Sequence, residues 1–353
     1  MTPDPVARLC ATLRGDSNDL PGGDERDRLF ATARANRVDR LLAWRTGQIS
    51  DELRAAAILD EVDIREVNRV LAALDVHGIV PLVIKGAALA HTHYEESWLR
   101  PRMDVDLLIA SSQRAHVIDV LQDLGYTRPA FISGELVMYQ MPFARATATG
   151  EMHLDVHWRV ANPQIFADLP DYEELAQRAC TISIRGQSVR IPRPVDALLL
   201  ACVHRAAHHD LSDDLIWLYD IHLLAARFTA ADWSEFASLA SAHRVRALCS
   251  DGLRSAHACF HASIPSDVRS HLVSDERLER SAVYLRKDLT RLGRLMLDLR
   301  ALNTRARVRL LTEHLIPPVG YVSQKYGVQP GVLLPLSYLR RLAEGLPRFL
   351  RRV

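Results

Sequence analysis

The spacing of apolar positions changes twice along the chain. After a Pro/Gly/Asp-rich stretch at 16–24, apolar residues recur at Leu29, Ala33, Leu41, Leu42, Leu53, Ile58, Val62, Val67, Val70, Leu71 and Leu74 with mostly helical spacing, which predicts helices up to about residue 75. From residue 76 the pattern shortens. An apolar run at 80–84 ends in Lys85-Gly86 and passes into a helical pattern over 87–94, and a second run closes at Ile109. Residues 113–124 read as a helix with Ser111 as N-cap and Gly125 as stop. Residues 135–144 and 151–160 can pair as a hairpin around 146–150, and 181–191 reads as a strand and hairpin closed by Pro192. Helical spacing returns in 196–208 and 214–226, joined by a polar link at 209–213, until Pro317-Pro318 interrupts it. The pattern predicts an α+β protein with an N-terminal helical region at 1–75, a strand-bearing core at 76–192 and a C-terminal helical domain at 193–353.

Chemistry concentrates in the core. Asp104 and Asp106 are two apart in an apolar run, so on a strand they project together while Val105, Leu107 and Ile109 face the core. Side-by-side carboxylates call for a cation, and a hard divalent ion that also binds phosphate oxygens is the usual answer. A bare pair of this kind also fits two solvated aspartates on a half-buried strand. Residues 151–158 alternate strictly, with Glu151, His153, Asp155 and His157 on one face and Met152, Leu154, Val156 and Trp158 on the other. Asp155 could thus supply a third carboxylate to the same ion. Upstream, strand, Lys85-Gly86 turn and helix N-terminus form an anion site for phosphate, with Lys85 adding a positive charge.

Strand, turn, helix, acid-pair strand, helix and a hairpin with a third acid is the order of the polymerase-beta-type nucleotidyltransferase core. The wording KGAALA, then RPRMDVDLLI, then LDVHW, then a His-rich helix pair containing WLYDI resembles a family of uncharacterised bacterial nucleotidyltransferases, loosely over about residues 30–345. The resemblance implies a polymerase-beta-like core with a small mixed sheet, flanked by helical regions. It implies Mg²⁺ or Mn²⁺ at Asp104, Asp106 and Asp155, these three as catalytic residues, and an NTP, ATP above all, held by Lys85, Gly86, Arg100 and Arg102. The wider superfamily carries a Gly-Ser pair where this chain has Lys85-Gly86, so the phosphate contacts are less constrained than the metal ligands.

His157, His204, His208 and Asp220 are accessory candidates. His204 and His208 lie four apart on one helix face and could touch nucleotide or metal, or pack against Trp217 and Asp220 as a structural pair. His157 could orient Asp155 or be a hydrogen-bonded structural histidine. Arg100 and Arg102 could stabilise developing negative charge or be surface arginines beside acids.

Composition narrows the partners. With 44 basic against 43 acidic residues the net charge is +1, so no global field points to nucleic acid or membrane. The five cysteines are scattered without a CxxC pair and read as reduced core thiols. No apolar run reaches the ~20 residues of a membrane span, and the N-terminus lacks the apolar stretch of a signal peptide, which predicts a cytoplasmic enzyme. A basic amphipathic tail at 338–353, with Arg340, Arg341, Arg348, Arg351 and Arg352, fits a solvated terminal helix, or a membrane or RNA contact.

The expected reaction is Mg²⁺-dependent transfer of an NMP, AMP from ATP foremost, to a hydroxyl of a small molecule, peptide or protein. Phosphotransfer or NTP hydrolysis at the same site, or nucleotide binding without catalysis, are the alternatives. The acceptor and the oligomeric state are not legible in the sequence.

Overall fold

A computed structural model describes residues 4–129, 134–208, 211, 212, 214–329, 331 and 334–349. The first helices are α1 (Pro5–Arg14), α2 (Gly23–Ala35), α3 (Asp39–Arg45) and α4 (Asp51–Val76), the last begun by Ser50, whose side chain accepts the Leu53 N–H. The core follows as β1 (Leu82–Ile84), α5 (Lys85–Thr92), β2 (Val105–Leu108), α6 (Arg114–Asp123), β3 (Gln140–Thr147), β4 (Gly150–His157), α7 (Tyr172–Arg178), β5 (Cys180–Ile184) and β6 (Gln187–Ile191). Helices α8 (Pro194–His208), α9 (Leu215–Ala225), α10 (Ala230–Ala242), α11 (Arg246–Phe260), α12 (Ser266–His271), α13 (Arg291–Ala301), α14 (Thr304–Leu315), α15 (Val319–Tyr326) and α16 (Leu334–Phe349) complete the chain.

The strands form one mixed sheet in the order β3-β4-β2-β1-β6-β5. Strand β1 runs antiparallel to β2 and parallel to β6, and β2 runs parallel to β4. Both central strands are buried on both faces, because helices cover each side. On one side Val83, Val105, Leu107, Ile109, Leu154 and Val156 pack against α4 and α6. On the other, Leu82, Ile84 and Leu108 pack against α8 to α11. A third cluster joins α1 to α3 with α9, so the N-terminal helices rest on the C-terminal ones.

Several local expectations shift. Ser111 opens a short 3-10 turn and gives no side-chain cap, so α6 starts at Arg114, while Gly125 does end it with a left-handed φ of 84°. The first hairpin strand begins at Gln140 rather than at 135. Of the polar link, 209, 210 and 213 lie outside the described residues, as do Arg351, Arg352 and the Arg348 side chain. Arg340 pairs with Glu344 on its own helix. All five cysteines are free thiols; Cys10, Cys202 and Cys249 are buried, but Cys180 is exposed on β5. Among the described residues no helix is long and apolar enough to cross a membrane.

Asp298 on α13 accepts the Gln164 N–H at 2.7 Å, tying the late helices to the segment after β4. Burial raises its pKa to about 6, against the pull of backbone N–H groups at Gln164 and Ile165. A carboxyl whose folded pKa lies above its ordinary value adds stability at low pH that is lost as pH rises through the folded pKa. Urea denaturation should therefore show wild type losing stability relative to Asp298→Asn between about pH 4 and about pH 7. A pH-independent difference would mean that Asp298 titrates alike in the folded and unfolded chain.

Candidate active site

The register of three strands brings the ionisable residues together. Asp106 lies opposite Ile84 on β1 and opposite Asp155 on β4, so both aspartates project from the sheet face that carries Leu82 and Leu108. His157, two residues beyond Asp155 and paired with Leu108, shares that face. The alternation along β4 is visible in its burial: Glu151 and His153 are exposed, whereas Met152, Leu154 and Val156 are buried.

Lys85 closes the cluster. It sits at the junction of β1 and α5 with φ 55°, in the left-handed region that a lysine adopts only under strain, and its ammonium reaches β2. Its Nζ donates to Asp106 Oδ1 at 2.6 Å and lies 3.3 Å from His157 Nε2, which is itself 2.8 Å from the same Asp106 oxygen. On the other side, Gln140 Nε2 donates to Asp155 Oδ2 at 2.9 Å.

These contacts split the acids. Burial alone would raise the Asp106 pKa, but the Lys85 charge and the His157 hydrogen bond overcome it and hold the carboxyl well below the ordinary range. Asp155 has no such cation in contact. Burial, then the charges of Asp104 and Asp106, raise it to about 6. Burial and the Asp106 charge also raise Asp104. His157 is pushed down by burial and by Lys85, so its imidazole is neutral at neutral pH.

Among the described residues, Asp106, Asp155 and His157 form the one group whose ligand atoms all lie within 4.8 Å of one another. Two carboxylates and a neutral imidazole are donors that suit a divalent ion. The donor set therefore fits a metal. Asp104, just before β2, stands outside this tight group, while His157 belongs to it.

Both arginines are engaged in ion pairs with acids from distant helices. Arg100 is buried and grips Asp220 of α9, with Nη2 to Oδ2 at 2.7 Å and Nε to Oδ1 at 3.1 Å, while Nη1 donates to the Pro101 carbonyl at 2.9 Å. Its guanidinium lies against the start of α5, and a Cβ on Gly86 would fall 2.7 Å from Nη1; glycine is needed there for packing. Arg102 is drawn to Asp60 of α4, which is buried and also accepts the Ser97 hydroxyl. His204 and His208 stack on each other with ring centroids 5.0 Å apart, and His204 meets Trp217 edge-on at 5.5 Å. They are not part of the acid cluster. Sequence reasoning does not reach Gln140, although counting back from the Thr147–Gly150 turn sets it opposite His157.

The sheet thus presents two facing aspartates and a lysine at a strand-to-helix turn beneath a helical cover. The family model described as "Uncharacterised nucleotidyltransferase" matches residues 24–261, well over half of the chain, and the protein belongs to that family. Among solved structures it is similar to the antibiotic-resistance factor ANT(2'')-Ia, with 16% identity over 53% of this chain and 94% of that one and a TM-score of 0.38. It is also similar to an antigenic nucleotidyltransferase-like protein from Paracoccidioides brasiliensis, with 15% identity over 59% of this chain and 96% of that one and a TM-score of 0.36. No curated protein matches the chain.

Proposed function

We propose that this nucleotidyltransferase moves an NMP, AMP from ATP foremost, onto a hydroxyl of a small molecule, peptide or protein, with Mg²⁺ or Mn²⁺ as cofactor. The observation that carries the reading is the facing pair Asp106 and Asp155, one held ionised and the other raised to about 6.

Asp106, Asp155 and His157 would hold the ion, with Asp104 contributing to the surrounding negative charge. When bound, the ion supplies electrophilic stabilisation of phosphate oxygens. Asp155 also serves as general base toward the acceptor hydroxyl, from the strand face it shares with Asp106. Gln140 fixes the Asp155 carboxylate by donating to its Oδ2. Lys85 and the first N–H groups of α5, which have no side-chain cap, meet the phosphates. Arg100 acts at one remove, by fixing the start of α5 against Asp220.

The test is incubation with each NTP labelled at the α-phosphate, and in parallel at the γ-phosphate, together with Mg²⁺ and a cell extract. Mass spectrometry should find a product heavier by one NMP that carries only the α label. Transfer of the γ label instead would identify a phosphotransferase, and free phosphate alone an NTP hydrolase.

A further inference from the structure

On the side of Lys85 away from Asp155, a cavity of about 290 Å³ opens between α5, the β6-β5 edge of the sheet and helices α8 and α9. Lys85, Gly86 and Arg100 line it beside the acid cluster, and the exposed Cys180 lines it on β5. Between them the wall is mainly apolar, with Leu89, Ile182, Ile191, Leu200, Trp217 and Phe228. Its volume lies at the low end of small-molecule pockets, which run from roughly 300 Å³ upward.

The polar groups on this wall are largely committed to one another. Arg100 is held by Asp220 and the Pro101 carbonyl, Arg227 donates to the Thr92 carbonyl at 2.6 Å, and His93 Nδ1 is 2.7 Å from the Thr92 hydroxyl. Asp232 accepts the Thr229 hydroxyl at 2.6 Å. A nucleobase is recognised through the donors and acceptors on its edge, and burying that edge against committed groups would leave it unsatisfied. An apolar body carries no such penalty.

We propose that this cavity takes the apolar body of the acceptor, an alcohol bearing an aromatic or branched aliphatic group, and presents its hydroxyl past Lys85 toward the acids. The proposal rests on the nucleotidyl-transfer reading. In that step the acceptor oxygen bonds to the α-phosphorus, the bond from that phosphorus to the bridging oxygen breaks, pyrophosphate leaves, and the hydroxyl proton passes to Asp155.

Cys180 provides a readout independent of activity. Phenylbutanol should slow alkylation of Cys180 by iodoacetamide several-fold in the full chain, read by peptide mass spectrometry, and sorbitol should not. Ala201→Phe, which narrows the cavity from α8, should abolish the protection while keeping the thermal shift given by a non-hydrolysable ATP analogue with Mg²⁺. Ala197→Phe, on the same wall, should behave alike and stands in if the first variant misfolds. Protection by the ATP analogue in place of phenylbutanol would make the cavity a nucleoside site and overturn the proposal; so would protection by neither. Absence of a thermal shift in wild type would overturn the nucleotidyl-transfer reading, whereas Cys180 protection decides the cavity by itself.

Discussion

Asp106→Asn should lower nucleotidyl transfer by about a hundred- to a thousandfold, the scale reached when one electrostatic element of an active site is removed. The carboxylate is the shared partner of Lys85 and His157 and one of three ligand atoms in the candidate metal group. Asparagine keeps the shape and removes the charge. The same change should weaken the fold, because the Lys85 ammonium, mostly shielded from solvent, loses its counter-charge. The sign with pH follows from the depressed Asp106 pKa: a carboxyl held below its ordinary value adds stability above that ordinary value, and the gain fades as pH falls into the acid range. Urea denaturation should thus show wild type exceeding Asp106→Asn at neutral pH and approaching it on acidification. Turnover within tenfold of wild type would remove Asp106 from the catalytic centre.

The legible parts of this fold were those written in local periodicity. The alternation of Met152, Leu154 and Val156 with Glu151, His153, Asp155 and His157 predicts a one-sided strand, which β4 is as far as His153, whereas Asp155 is half-buried and His157 buried beneath the helical cover. The apolar run ending in Lys85-Gly86 predicts a strand feeding a helix, which β1 and α5 form, although the helix starts at Lys85 itself. Long-range pairing was not legible. Nothing near Arg100 announces that its carboxylate lies in a helix 120 residues away, and nothing near Arg102 announces Asp60. The approach of His157 to Asp106 depends on the register of the parallel β2-β4 pair, which no turn fixes locally. The helix-breaking Pro317-Pro318 was visible, whereas the cavity beside Lys85 arises only when α8, α9 and the β5-β6 hairpin meet.

The largest loss of stability should come from Asp220→Ala. Arg100 and Asp220 are each only 4% exposed, and the pair is bound by a 2.7 Å Nη2–Oδ2 contact and two longer ones from Nε. Tyr94 adds its hydroxyl to Asp220 Oδ1 at 2.6 Å, and the guanidinium lies 5.4 Å from the Trp217 ring centroid. Burial works against the charge on Arg100, yet the Asp220 carboxylate holds its pKa above the ordinary value, so it stays protonated in the folded protein. Truncating Asp220 strands a cation that cannot shed its proton and leaves the Tyr94 hydroxyl without this acceptor. Breaking one side of a buried pair costs about 3–5 kcal/mol. Replacing both partners, as in Arg100→Leu with Asp220→Leu, should cost much less, because no charge is left behind and apolar groups fill the space. Chemical denaturation of the single and double variants measures the difference. A double variant as unstable as Asp220→Ala would mean that the site depends on shape rather than charge, and that Arg100 supports the start of α5 through packing on Gly86 alone.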